Sequence, residues 1–196
     1  VKLIPQRFEF GLRVFHGATL SDIEYHRLGE VNKTGYFTHR DCWKHEMGEG
    51  HPECPARLDA IEDRLRGCGV ADLLDQREAP LAELDDVELA HSPFHVQSLR
   101  GLTERLAGEV AAGGPTHAAV DPDTSINVWT WAAALRAAGA AVAATDAVMA
   151  GELENAFCAV RPPGHHATRD QAMGFCFFNN VAVAARRARD VHGLRR

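Results

Sequence analysis

Asn155-Ala156-Phe157-Cys158-Ala159-Val160-Arg161-Pro162-Pro163-Gly164-His165-His166-Ala167 is a short apolar run that breaks off into a stiffened loop. Asn155 to Val160 has the length of a buried strand, and Arg161-Pro162-Pro163 ends it. Gly164 permits a tight turn, from which the adjacent histidines His165 and His166 project. Then comes Met173-Gly174-Phe175-Cys176-Phe177-Phe178-Asn179-Asn180, leading into a helix expected over about Asn179 to Val191 and stopped by His192-Gly193. Strand, loop and helix in this order suggest an α/β fold with a largely parallel sheet. Such folds place their sites in loops after the carboxyl ends of strands. Imidazole titrates near neutral pH, so paired histidines can share general-base and electrostatic work. The Gly and Phe residues that come next suggest a narrow apolar wall where the backbone approaches a ligand.

Upstream, a strand is expected near Tyr36-Phe37-Thr38, followed by a polar loop from His39 to Pro55. A helix is expected over Ala56 to Arg66, with Leu58, Ile61 and Leu65 on one face and Gly67 and Gly69 at its end. Leu84 to Ala107 reads as two helices broken at His91-Ser92-Pro93. Asp85 or Asp86 is a candidate cap for the first, and Ser92 with Pro93 suits the start of the second. A loop is expected from Gly108 to about Asn127. The strongest helix signal is Trp129 to about Ala150, rich in alanine, with Leu135, Val142 and Met149 spaced by sevens. Residues 1–33 carry Phe8, Phe10 and Phe15 with no sustained period and read as an extension of unclear role. Only two or three strands are evident, so the sheet looks incomplete.

The chain has 196 residues, enough for one domain with a core. A net charge of -6 gives no reason to expect nucleic acid as a partner. No apolar run is expected to be long enough to span a bilayer; Arg136, Thr145 and Asp146 interrupt the alanine-rich stretch Ala132 to Ala150. The five cysteines form no Cys-x-x-Cys pair. That argues against a disulfide framework or a Cys-rich zinc site and makes a reducing cytoplasm the expected setting. Cys176 reads as packing, Phe177 and Phe178 as core, and His91 and His95 as ordinary helix residues.

Arg161 to Ala167 together with Gly174 to Asn180 resembles the tandem-histidine signature of histone deacetylases and acetylpolyamine amidohydrolases. Thr34 to His39, Gly50-His51-Pro52-Glu53 and Pro55-Ala56-Arg57-Leu58 resemble the family's opening strand and first helix. Ala90 to Pro93, Asp121-Pro122-Asp123-Thr124 and the helix Ala133 to Ala144 extend the likeness over residues 34–196, read as the amino-terminal part of a catalytic domain. The resemblance implies an arginase/deacetylase-like three-layer α/β/α sandwich, built on a mostly parallel eight-stranded sheet that is incomplete here. It implies zinc-dependent hydrolysis of the amide of acetyl-lysine or a related acylated amine, with an acetylated protein or acetylated amine as substrate. By motif match, His166 is the general base and then acid, and His165 supports it. Gly174 and Phe175 line a tunnel for the substrate stem, and the Gly174 carbonyl is an acceptor for the substrate chain. Arg57 belongs to an inner channel suited to acetate, and Asp123 to the rim. On the residues alone, Arg57 also reads as a partly exposed helix residue and Asp123 as an Asp-Pro turn or cap.

The family's zinc ligands, an Asp-x-His on the next strand and a later Asp, have no match, nor has its catalytic Tyr. Asp190 and His192 form an Asp-x-His at an expected helix end rather than after a strand, and are not taken as ligands. The expected zinc ligands therefore lie downstream, and the chain alone is expected to be inactive. The competing expectation is a non-catalytic truncated product or interaction module that lacks the metal site.

Overall fold

The computed structural model describes residues 33–195. The extension read over residues 1–33 lies, apart from Lys33, outside the described residues, as does Arg196. Strand β1 (Thr34–Thr38) is central. It pairs in parallel with β2 (Leu74–Glu78) from Thr34 opposite Leu74 to Thr38 opposite Glu78. On its other side it pairs in parallel with β5 (Asn155–Cys158), from Thr34 opposite Asn155 to Phe37 opposite Cys158. The sheet order is therefore β2-β1-β5. A second, two-stranded antiparallel ribbon joins β3 (Ala118–Ala119) to β4 (Ser125–Ile126).

Successive strand residues point to opposite faces, and β1 shows this directly. Tyr36 points to α2 (Ala56–Gly67), where it meets Leu58, with Ile61 and Leu65 alongside. Phe37 points the other way, onto Ala140, Ala144 and Ala147 of α5 (Thr130–Met149). Helices on both faces of a parallel sheet make the three-layer α/β/α arrangement. A separate core lies under α3 (Leu84–Glu88) and α4 (Pro93–Ala111), where Val87, Val96, Leu99 and Leu106 pack with Ile126, Phe177 and Phe178. Helix α6 (Asn180–Asp190) packs along α5, and Arg187 clamps Asp146 through Nε and Nη2, both at 3.0 Å.

Several expectations need correction. The polar loop His39 to Pro55 contains one helical turn, α1 (Asp41–Lys44), and the chain between Gly108 and Asn127 holds the end of α4 and the β3–β4 ribbon. Strand β2 was not foreseen, because Leu74-Asp75-Gln76-Arg77-Glu78 is an edge strand with polar residues on both faces. Strand β5 is not fully buried: among the described residues it pairs with β1 alone, and Phe157 is 48% exposed. Neither Asp85 nor Asp86 caps α3, whose N-cap is Glu83 without a side-chain bond. By length and composition α5 is apolar enough to cross a membrane, despite Arg136 and Asp146. Here it is a core helix, with Arg136 bonded to the Ala79 carbonyl and Asp146 paired with Arg187.

Candidate active site

The chain leaves the sheet after β5 at Arg161, and this residue organises the loop that carries the paired histidines. Arg161 is fully buried. Its guanidinium has five N–H donors, and each finds an oxygen. Nε and Nη2 hold the two Glu53 carboxylate oxygens at 2.7 Å each. Nη1 donates to the carbonyls of Cys42 and His45 at 2.9 and 2.8 Å, and Nη2 also reaches the Glu53 carbonyl at 3.3 Å. Glu53 is itself only 3% exposed. A buried, bidentate pair of this kind fixes geometry more than it adds stability. Here it ties the segment ahead of α2 to the histidine loop. His45 lies beside it, and burial, then the Arg161 charge, lowers its pKa to about 3, so this imidazole is neutral.

Gly164 carries no positive φ, so the tight turn expected there is not why glycine is needed. A Cβ at this position would stand 2.3 Å from the Asn180 side chain. The glycine lets the loop press onto the first turn of α6, where the Val181 N–H donates to the Gly164 carbonyl. His165 and His166 then emerge exposed, their ring centroids 4.2 Å apart. Their backbone N–H groups both donate to the buried Cys176 Sγ at 3.4 Å, and that thiol donates to the Gly174 carbonyl at 3.3 Å. Cys176 therefore braces the loop as well as filling space, and one lone pair of the Gly174 carbonyl is already engaged.

Met173 and Cys176 exchange two backbone bonds of 3.0 Å across a tight turn. Its central residues, Gly174 (φ 57) and Phe175 (φ 67), both have positive φ, as a type I′ turn requires. Gly174 has a second constraint, since a Cβ would meet the His166 side chain at 2.9 Å. For Phe175 this conformation costs about 1–3 kcal/mol of strain. Its ring is held edge-on against His51, centroid to centroid 4.7 Å. His51 Nδ1 accepts the Glu53 N–H at 3.1 Å, so Nε2 carries the proton and donates to the Asp123 carbonyl, also at 3.1 Å.

A cavity of about 440 Å³ opens between these pieces, lined by Pro52, Glu53, Arg57, Asp123, Pro163, His165, His166, Gly174 and Phe175. All six residues singled out in the sequence thus meet at one place, from three distant parts of the chain. Arg57 sits on its wall, half exposed, with Nη1 on Glu53 Oε1 at 2.9 Å. The buried arginine is Arg161, which the sequence reading passed over. Its signal was a lone cation between an apolar run and two prolines.

His91 lies in the bend between α3 and α4 rather than in a helix, His95 lies in α4, and both side chains hold backbone groups. His91 Nε2 accepts the Asn179 N–H at 2.8 Å, which leaves Nδ1–H to face the Arg169 carbonyl at 3.3 Å. His95 Nε2 donates to the Phe177 carbonyl at 2.8 Å. Together they brace the chain between the paired histidines and α6. Burial, then the neighbouring His95, lowers the His91 pKa to about 4. Among the described residues no three His, Cys, Asp or Glu side chains come together as a metal would need. Asp190 is paired with Arg186 and Arg189, and His192 with Asp146.

Residues 51–196 match the histone deacetylase domain. The chain is 38% identical over 147 residues to the histone deacetylase-like amidohydrolase of Pseudomonas aeruginosa, covering 75% of this chain and 36% of the relative. It is 37% identical over 167 residues to the human polyamine deacetylase HDAC10, covering 83% of this chain and 24% of the relative. The solved HDA15 HD domain superposes with a TM-score of 0.73 at 30% identity, covering 82% of this chain and 44% of that one. The chain thus spans less than half the length of these relatives. With the tandem histidines set in a parallel α/β/α layer structure of the same fold, this chain belongs to the histone deacetylase family.

Proposed function

We propose that this chain is the leading portion of a zinc-dependent deacetylase that hydrolyses the amide of acetyl-lysine or a related acylated amine. The observation that carries the proposal is the convergence of Arg57, Asp123, His165, His166, Gly174 and Phe175 on one cavity. His166 serves as general base toward water and then returns the proton to the leaving amine, while His165, 4.2 Å away ring to ring, supports the charge. Gly174 and Phe175 form a wall suited to an aliphatic stem. Among the described residues Arg57 bonds through Nη1 to Glu53 alone, and its guanidinium suits the released carboxylate. Asp123 stands at the rim to orient the substrate backbone.

The described residues do not fit a zinc ion, and its ligands are assigned to polypeptide beyond this chain. Acetylated protein and acetylated polyamine both present an acylated amine on an aliphatic stem, and both are proposed substrate classes. A cytoplasmic setting is proposed from the cysteine usage, all five being free thiols. Among the described residues no strand covers the outer edge of β5, and this edge with its exposed Phe157 favours a second reading, an interaction module without a metal site.

The coding DNA beyond the Arg196 codon separates the two. An apolar strand ending in Asp-x-His, with a later Asp and Tyr, supports the deacetylase. A stop codon directly after Arg196 supports the non-catalytic reading.

A further inference from the structure

We propose that Thr124 is a positioning residue that locks the Phe175 wall to the Asp123 rim, and so sets the shape of the cavity mouth. This inference rests on the deacetylase reading for its purpose, since the mouth matters only if substrate enters there.

The ribbon β3–β4 turns through Val120 to Thr124 and closes on itself. The Val120 and Asp121 N–H groups both donate to the Thr124 carbonyl, at 2.8 and 3.2 Å. Asp121 Oδ1 accepts the Asp123 N–H at 2.9 Å. The loop is thus a shaped unit, but nothing in these bonds fixes it against the rest of the cavity. Thr124 does so from a fully buried position. Its Oγ1 accepts the Phe175 N–H at 3.0 Å. A hydroxyl carries one hydrogen, and that hydrogen goes to Asp123 Oδ1 at 3.1 Å.

A continuous line of donors therefore runs from the Phe175 backbone through Thr124 to the Asp123 carboxylate. The requirement comes from the turn. Met173 and Cys176 direct their amides to each other, and Phe175 is held at φ 67, a region that bulky residues rarely adopt. Its N–H points out of the turn and needs an acceptor from elsewhere. Thr124 is that acceptor, from a segment about fifty residues earlier in the chain. The edge-on contact of His51 with Phe175 and its bond to the Asp123 carbonyl reinforce the same junction from the other side.

The test compares wild type, Thr124→Val and Thr124→Ser in the 196-residue chain by amide hydrogen exchange resolved at Phe175. Valine matches threonine in shape but has no hydroxyl; serine keeps it. Loss of the acceptor is expected to speed Phe175 exchange about tenfold or more, while amides in α5 keep their protection. Serine is expected to stay within about threefold of wild type. Unchanged Phe175 exchange in Thr124→Val, or exchange in Thr124→Ser as fast as in Thr124→Val, overturns the proposal. If Thr124→Val does not fold, Thr124→Ser decides alone: retained protection supports it and lost protection overturns it. The readout needs neither substrate nor metal, so failure of the deacetylase reading would leave it unmoved, and the two failures stay distinct.

Discussion

Glu53→Gln is the most informative single change, because it keeps the shape of the side chain while removing its charge and one acceptor oxygen. Glu53 is 3% exposed and faces Arg161, which is fully buried. Two bonds of 2.7 Å join the carboxylate to that guanidinium, and Arg57 adds a third at 2.9 Å. With glutamine there, one amide group replaces an acceptor oxygen and points N–H groups at a guanidinium that cannot lose its proton. An unpaired buried charge results, and breaking such a pair from one side costs about 3–5 kcal/mol. That is a large share of the roughly 5–15 kcal/mol that holds a domain folded. The assay is urea unfolding of the 196-residue chain by circular dichroism, comparing Glu53→Gln, Arg161→Met and the double variant. The double variant removes both charges, so it is expected to recover at least about 1 kcal/mol relative to Glu53→Gln alone. A Glu53→Gln loss below about 1 kcal/mol, or strictly additive losses in the double variant, would refute the claim that this pair is desolvated and coupled.

Acid should unfold the chain early. The folded pKa values of His45 and His91, about 3 and about 4, lie below the ordinary 6.5, so the unfolded chain binds more protons. Stability is then full above pH 6.5 and falls by about 2 kcal/mol per pH unit for the pair together between roughly pH 6 and pH 4. A urea midpoint that does not move over that range would contradict this. His91→Leu strands the Asn179 N–H and the Arg169 carbonyl and is expected to cost about 1–3 kcal/mol in the same assay. Gly174→Ala meets both the positive φ and the His166 ring, and a loss of about 1–3 kcal/mol is expected by thermal melting. The 196-residue chain alone is expected to show no turnover of an acetyl-lysine peptide and to self-associate through its exposed β5 edge. Light scattering and a fluorogenic deacetylase assay check these two expectations.

The readable part of the fold was written in periodicity and punctuation. Leu58, Ile61 and Leu65 gave α2, the alanine-rich run gave α5, and Ser92-Pro93 marked the start of α4, where Ser92 does accept the His95 N–H. Strand β2 escaped because an edge strand needs no apolar alternation. The ribbon β3–β4 escaped because two-residue strands leave no period to read. At the cavity, the residues that line it were legible because they fall in the recognised motifs. The residues that hold them are a different kind. Arg161, Cys176, Thr124 and His51 each bond at least one partner well away in the chain: 10 positions for Cys176 with His166, 51 for Thr124 with Phe175, 72 for His51 with Asp123 and 119 for Arg161 with Cys42. Nothing local in a sequence announces such partners. Arg161 alone left a trace, as a charge where an apolar strand meets two prolines.

The most direct test of the central claim joins this chain to the carboxyl-terminal portion of the Pseudomonas aeruginosa amidohydrolase and measures zinc-dependent release of acetate from an acetyl-lysine peptide and from an acetylated polyamine. The expected result is turnover of at least one of them, and a fall in kcat of about 10²–10⁴-fold on His166→Asn, as loss of a general base demands. A folded, zinc-loaded chimaera that hydrolyses neither, or one whose kcat ignores His166, would contradict it.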